Sequence, residues 1–167
     1  MDDASLWLVR VKAGVVFVTQ AIGNVQRGVD AATAGDTVYV GPGTFDGKIS
    51  LSKSITRVAT DGAAATTLNN SAGTGYATVQ VNGPVTGVQV GAVGHGFRIN
   101  GIDNAAPGIE FAAVYMPGAL TDVSLIGNPI VAPGDVGPTT DYGIALSILP
   151  VSDTPFAGQT VNGENED

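Results

Sequence analysis

One stretch decides the fold of this chain: Asp30-Ala-Ala-Thr-Ala-Gly35-Asp-Thr-Val-Tyr-Val40-Gly-Pro-Gly-Thr-Phe45. Read in order, it predicts the end of a short amphipathic helix, a Gly-Asp turn, a β-strand and a Pro-Gly corner. Beyond it the chain shows a series of short apolar strands and no further helical pattern. This order predicts that a single helix precedes an all-β structure.

The residues before this stretch complete the helix. Ile22, Val25 and Val29 fall at helical spacing, with their apolar side chains on one face. We therefore predict a helix over 22–34, started by Asn24 or Thr19 and stopped by a left-handed glycine at position 35. A terminal helix of this kind shields the first strands of a repeating structure from water and from edge pairing.

Short apolar runs recur from residue 37 onward, at 38–40, 49–51, 55–58, 67–68, 79–81, 85–90, 97–99, 109–112, 123–126, 130–131 and 144–149. Gly, Pro, Asn and Asp separate them, and these residues favour turns. The earlier runs 6–11 and 15–18 flank Ala13-Gly14, which indicates a hairpin or a first partial rung. Strands this short favour a solenoid over a β-sandwich or an antiparallel barrel, where strands average roughly five or six residues.

Four phrases resemble the loose repeat of the pectin-lyase-like superfamily: Gly96-Phe97-Arg98-Ile99-Asn100-Gly101, Gly108-Ile109-Glu110-Phe111, Gly143-Ile144-Ala145-Leu146 and Val123-Ser124-Leu125-Ile126-Gly127-Asn128-Pro129-Ile130. The resemblance covers roughly residues 22–146. It implies an all-β protein built as a right-handed single-stranded parallel β-helix with a short N-terminal capping helix. Inward asparagines at the corners, Asn100 and Asn128, would hydrogen-bond backbone groups there.

The predicted organisation is a single β-helix domain over 1–167, with the capping helix at 22–34, coils at 37–149 and a tail at 150–167. No helical pattern closes the C-terminal end. We expect the acidic tail and Phe156 to cover the last rung, or the exposed end to stack on a partner chain. A chain cut from a longer β-helix would look the same.

Composition narrows the possible partners and locations. The net charge of −8 argues against nucleic acid, because phosphate binding needs a basic face. There is no cysteine, so disulfides and thiolate metal sites are excluded.

No segment is long and apolar enough to span a membrane. The acidic start, Met1-Asp2-Asp3-Ala4, does not match a secretory signal, so a signal was removed or none is used. We expect an extracellular, cell-surface or virion location.

Catalysis is disfavoured by the pattern of the titratable residues. The enzymes of the resembled family need paired or clustered acidic residues, and the carboxylates here are single and mostly lie in turns. His95 is the only histidine, so a transition-metal site would need carboxylate or water partners. We expect no cofactor; Ca²⁺ bound by Asp residues in turns stays open.

Two functions remain. The first is a non-catalytic structural β-helix that self-associates or attaches to a partner protein. The second is a carbohydrate-binding module, or the N-terminal part of a longer carbohydrate-active enzyme. Its polysaccharide groove would use Arg98, Glu110, Tyr115 and Tyr142, with Tyr76 as a further ring able to stack on sugar.

Overall fold

The computed structural model describes residues 9–22, 24–72, 75–102, 112–131, 142–147 and 160–162. In these ranges the protein is all-β, with mostly parallel strands in three sheets and one short α-helix. The strands are β1 (Val9–Lys12), β2 (Val15–Val18), β3 (Thr37–Val40), β4 (Gly43–Asp46), β5 (Ile49–Leu51), β6 (Thr56–Ala59), β7 (Thr66–Asn69), β8 (Ala77–Val81), β9 (Val85–Val90), β10 (Arg98–Asn100), β11 (Ala112–Pro117), β12 (Leu120–Ile126), β13 (Ile130–Val131), β14 (Tyr142–Ser147) and β15 (Thr160–Asn162). Helix α1 is Val25–Ala31, after a 3₁₀ turn at Gln20–Ile22.

The chain visits the three sheets in turn. The first sheet has the order β1-β2-β3-β6-β9-β12-β15, the second β13-β10-β7-β4 and the third β14-β11-β8-β5. From β3 onward every third strand therefore lies beside its predecessor, and all of these pairs are parallel. This arrangement is compatible with a β-helix.

The core lies between the sheets and is built from aligned inward side chains. In the first sheet Val38 lies opposite Arg57, Arg57 opposite Val90 and Val90 opposite Leu125. All four are buried. Strands such as β3 alternate buried and half-buried residues because successive side chains point to opposite faces.

The hairpin predicted around Ala13-Gly14 is confirmed: β1 and β2 pair antiparallel, and β2 then pairs in parallel with β3. The N-cap predicted at Asn24 is confirmed, since its side chain accepts a hydrogen bond from Arg27 N at 3.1 Å, but the helix starts at Val25 and not at the predicted residue 22. Its predicted end at residue 34 is wrong. The cap is Ala32, in extended conformation, because the carboxylate of Asp36 accepts hydrogen bonds from the backbone and hydroxyl of Thr33 and draws the chain out of the helix.

Three strands extend beyond the predicted pattern. The Pro-Gly corner leads directly into β4, and β11 continues five residues past the predicted run 109–112, of which only Ala112 is described. The predicted tail, 150–167, contains β15, which lies parallel to β12. Strand β4 was missed because Gly41-Pro42-Gly43 favours a turn in isolation, whereas pairing with β7 decides the conformation here.

Candidate functional site

The predicted sugar-binding residues lie on two different sheets. Arg98 is exposed at the start of β10 in the second sheet. Tyr115 is half-buried in β11 of the third sheet, and Tyr142 begins the neighbouring strand β14, with its backbone opposite Ala112. Glu110 lies outside the described residues. The grouping of these residues in one groove stays a prediction.

An aromatic pair stands on the third sheet. The ring centroids of Tyr76 and Tyr115 are 5.6 Å apart, and the ring planes are tilted by 56°. Tyr76 is 51% exposed, so the pair presents aromatic surface to solvent. The register places Tyr115 opposite Gln80, so the contact with Tyr76, which directly precedes β8, is made by the long aromatic side chains and not by directly opposed residues. Sequence reasoning identified both tyrosines singly and had no signal for their contact.

A row of amides and hydroxyls adjoins the aromatic pair. Gln80 lies opposite both Ser50 and Tyr115 in neighbouring strands. Its Nε2 donates to Asn82 Oδ1 at 2.7 Å, and Asn82 Nδ2 donates to Ser50 Oγ at 2.7 Å. The Oε1 atom of Gln80 is buried and has no partner among the described residues. The face therefore combines an exposed aromatic pair with a row of side chains that hydrogen-bond to one another.

The N-terminal edges of the second and third sheets are covered by side chains. Gln20 Nε2 donates to Thr44 O of β4 at 3.3 Å. The Gln26 amide of α1 acts like a neighbouring strand, since Oε1 accepts from Ser50 N at 2.6 Å and Nε2 donates to Ser50 O at 3.3 Å. These two glutamines supply hydrogen bonds that a preceding strand would otherwise make.

Lys53 fixes the other end of the helix against the third sheet. Its Nζ donates to the carbonyl oxygens of Val29, Asp30 and Ala32 at 3.0–3.1 Å. A cation there satisfies carbonyls that the helix end leaves free and interacts well with the helix dipole.

The C-terminal edges of the three sheets differ from the N-terminal edges of the second and third sheets, which side chains cover. In the described ranges β13 pairs with β10, β14 with β11 and β15 with β12, and no further strand lies beside any of the three. An edge strand without a neighbour presents backbone N–H and C=O groups that can pair with another chain.

An open groove of about 530 Å³ lies at the turns that lead from the third sheet into the first. It is lined by Ala34, Ser52, Lys53, Ser54, Pro84, Val85, Thr86, Ala119 and Thr121. The lining contains hydroxyls but no carboxylate or histidine, and the ammonium of Lys53 is bound to the helix carbonyls. The groove offers no acid–base pair.

His95 has a structural role in its turn. Its Nδ1 lies 3.0 Å from Ala59 O and 3.2 Å from Thr60 O, and its own carbonyl accepts from Ala59 N.

Asp46 also makes local hydrogen bonds. Those from the hydroxyl and backbone N–H of Ser71 hold the pKa of the Asp46 carboxyl below its usual value. Within the described ranges no three potential metal-ligating residues cluster.

No family model, curated protein or solved structure matches the chain. Separately, no helix in the described part of the chain has the length and hydropathy of a membrane-spanning segment.

Proposed function

We propose that the chain is a right-handed parallel β-helix of the pectin-lyase-like type. We further propose that it is a non-catalytic structural component of an extracellular, cell-surface or virion assembly, acting through self-association or attachment. The three-sheet succession supports the architecture, because each strand from β6 to β14 lies against the strand three places earlier.

The observation that carries this proposal is the difference between the two ends. Gln20 and Gln26 cover β4 and β5, whereas β13, β14 and β15 have no further strand beside them in the described ranges. Uncovered ends of stacked β-structures favour association through edge pairing.

Four of the five carboxylates in the described ranges are hydrogen-bonded to neutral neighbours, which supports a role without catalysis. Asp30 accepts from Gln26, Asp36 from Thr33, Asp46 from Ser71 and Asp61 from Thr60. Each is bound to a neutral neighbour, and none of these hydrogen bonds joins it to a second carboxylate. General acid–base hydrolysis of a glycoside needs two carboxyl groups within about 5–10 Å across the bond.

The test is the mass in solution, by light scattering on a size-exclusion column over a range of concentrations. We expect a defined oligomer for the unmodified chain. Val131→Lys places a charge on the outward side of β13 and should shift the protein towards monomer. The matched control is Thr44→Lys on β4, at the opposite edge of the same sheet, which should leave the mass unchanged. A strictly monomeric protein at every concentration would overturn the proposal.

Carbohydrate binding is the second candidate, and the Tyr76–Tyr115 pair favours it. Aromatic rings stack on sugar faces, and this pair presents aromatic surface to solvent because Tyr76 is exposed. A glycan array, with and without Ca²⁺, tests it. Binding that Tyr76→Ala and Tyr115→Ala abolish, and that Tyr39→Ala on the first sheet preserves, would support this function. Absence of binding to every glycan would exclude it.

A further inference from the structure

Arg57 lies inside the apolar core. It is only 1% exposed and is the largest of the fully buried side chains. On β6 it faces inward between Val38 of β3 and Val90 of β9, both of them buried. Its Nε, Nη1 and Nη2 atoms are all buried, and none has a hydrogen-bond partner in the described part of the chain.

A guanidinium in this position is strongly unfavourable by itself. Burial lowers the pKa of Arg57 to about 9, so the group still carries its charge at neutral pH. The penalty for burying an unpaired charge is comparable with a large part of the net stability of a domain. Stable folding therefore requires something that neutralises the charge and accepts hydrogen bonds from it.

No carboxylate in the described part of the chain fills this role. Asp36, the buried one, accepts hydrogen bonds from Thr33. Asp46 and Asp61 are exposed and bonded to Ser71 and Thr60. None of them contacts the guanidinium through a hydrogen bond.

We propose that Arg57 binds a small inorganic anion of the size of chloride inside the sheets. The guanidinium directs five N–H donors in one plane, which suits an acceptor without directional demands. The side chains opposite Arg57 on the two neighbouring strands, Val38 and Val90, are buried and apolar, so neither offers it an acceptor. Ala59, the next inward residue of β6, is the short side chain beside it. The inference stands on the core alone and does not depend on the proposed function.

Thermal unfolding in chloride tests the site. The chain is exchanged into sodium gluconate and then titrated with sodium chloride at constant ionic strength. Because the anion binds only the folded state, raising chloride about a hundredfold above its dissociation constant should raise Tm by about 5 °C. Arg57→Met should show no such rise, while Arg98→Met, which removes an exposed arginine, should keep it. An equal response in Arg57→Met, or none in the unmodified chain, would overturn the proposal.

A second measurement uses only the unmodified chain and is therefore informative even if Arg57→Met does not fold. Crystals of the unmodified chain grown in sodium bromide should show an anomalous bromide peak within hydrogen-bond distance of the Arg57 nitrogens. Water there without bromide, or a carboxylate of the chain bound to the guanidinium, would show that the core takes up no anion.

Discussion

Asn128 shows what a single buried amide does at a corner of this structure. Its Oδ1 accepts from Phe97 N and its Nδ2 donates to Val90 O, each at 2.8 Å. The sequence predicts this backbone role for Asn100 and Asn128, and the structure confirms it for Asn128. Asn100 instead donates to the side chain of Asn69 at 2.7 Å.

We expect Asn128→Ala to lower the free energy of unfolding by about 2–4 kcal/mol, because it leaves two buried backbone groups without partners. Urea denaturation followed by circular dichroism measures this. Thr121→Ala, an exposed change on the preceding strand, is the control and should cost less than about 0.5 kcal/mol. Equal effects of the two changes would contradict the role assigned to Asn128.

Arg57 makes the free energy of unfolding depend on pH in the alkaline range. Burial lowers its pKa to about 9 in the folded chain, well below the ordinary value of an arginine. The folded state therefore carries the full penalty below pH 9 and loses it progressively as the pH rises above 9, because only the folded state then releases the proton.

In chloride-free buffer at pH 7, Arg57→Met should be more stable than the unmodified chain by about 1–4 kcal/mol. This advantage should shrink above pH 9, by at most about 1.4 kcal/mol per pH unit. Urea denaturation at a series of pH values measures both effects. A difference that stays constant from pH 7 to pH 10.5 would show that Arg57 keeps its proton in the folded chain.

The position of Arg57 could not be predicted from the local sequence. In Thr56-Arg57-Val58 the alternation of polarity favours an inward Val58 and an outward Arg57. The structure has the reverse, because the register aligns Arg57 with Val38 and aligns Val58 with the outward-facing Tyr39, which stacks on Phe17 at 5.3 Å. Register between distant strands decides which face a residue occupies, and a local pattern does not encode it.

At the scale of elements, Gly28 lets α1 approach the first sheet. It is buried, and a Cβ added there would overlap the Val18 Cγ2 methyl and lie 3.2 Å from Val38 Cγ1. The helix thus packs its Val25, Gly28 and Val29 side against the strands.

Gly28→Ala should destabilise the chain by about 1–3 kcal/mol through overpacking, although alanine favours a helix more than glycine does. The control removes the overlapping methyl: in Val18→Ala/Gly28→Ala the combined loss should be smaller than the sum of the single losses. Thermal unfolding of the four proteins of this cycle measures the coupling. If the losses of the two single variants add up to that of the double variant, the contact between residues 18 and 28 does not cause the destabilisation.

Elements were predictable where local chemistry decides them. Asn24 indicated the helix start, and Ala13-Gly14 the hairpin turn; the structure confirms both. The helix end and β4 were not predictable, because the first depends on the side chain of Asp36 and the second on pairing with β7. The same holds for the candidate site. The sequence identified Tyr76 and Tyr115 as separate candidate residues, but their contact depends on the pairing of β8 with β11.

The whole molecule has one covered end and one with no described neighbour. Few groups cover the N-terminal edges of the sheets. Among them the Gln26 amide makes two hydrogen bonds, one to the backbone N–H and one to the backbone C=O of Ser50.

We expect Gln26→Ala to cost about 1–2 kcal/mol of stability and to increase association, since Ser50 of β5 then offers unpaired N–H and C=O groups. Gln26→Glu keeps an acceptor for Ser50 N but replaces the donor to Ser50 O and Asp30 with a second carboxylate, so it should be at least as destabilising as Gln26→Ala. Thermal unfolding and light scattering of the three proteins measure the two effects. An unchanged mass and Tm for Gln26→Ala would mean that the rest of α1 covers the edge.

The parallel register also has a consequence for how the chain is made. Thr37 meets Thr56, Thr56 meets Gln89, and Gln89 meets Ser124, so each pairing waits for a long stretch of later sequence. Structures dominated by such distant contacts fold slowly. The hairpin and helix leave the ribosome before the strands that follow them, and we expect them to form the template on which each newly synthesised strand pairs.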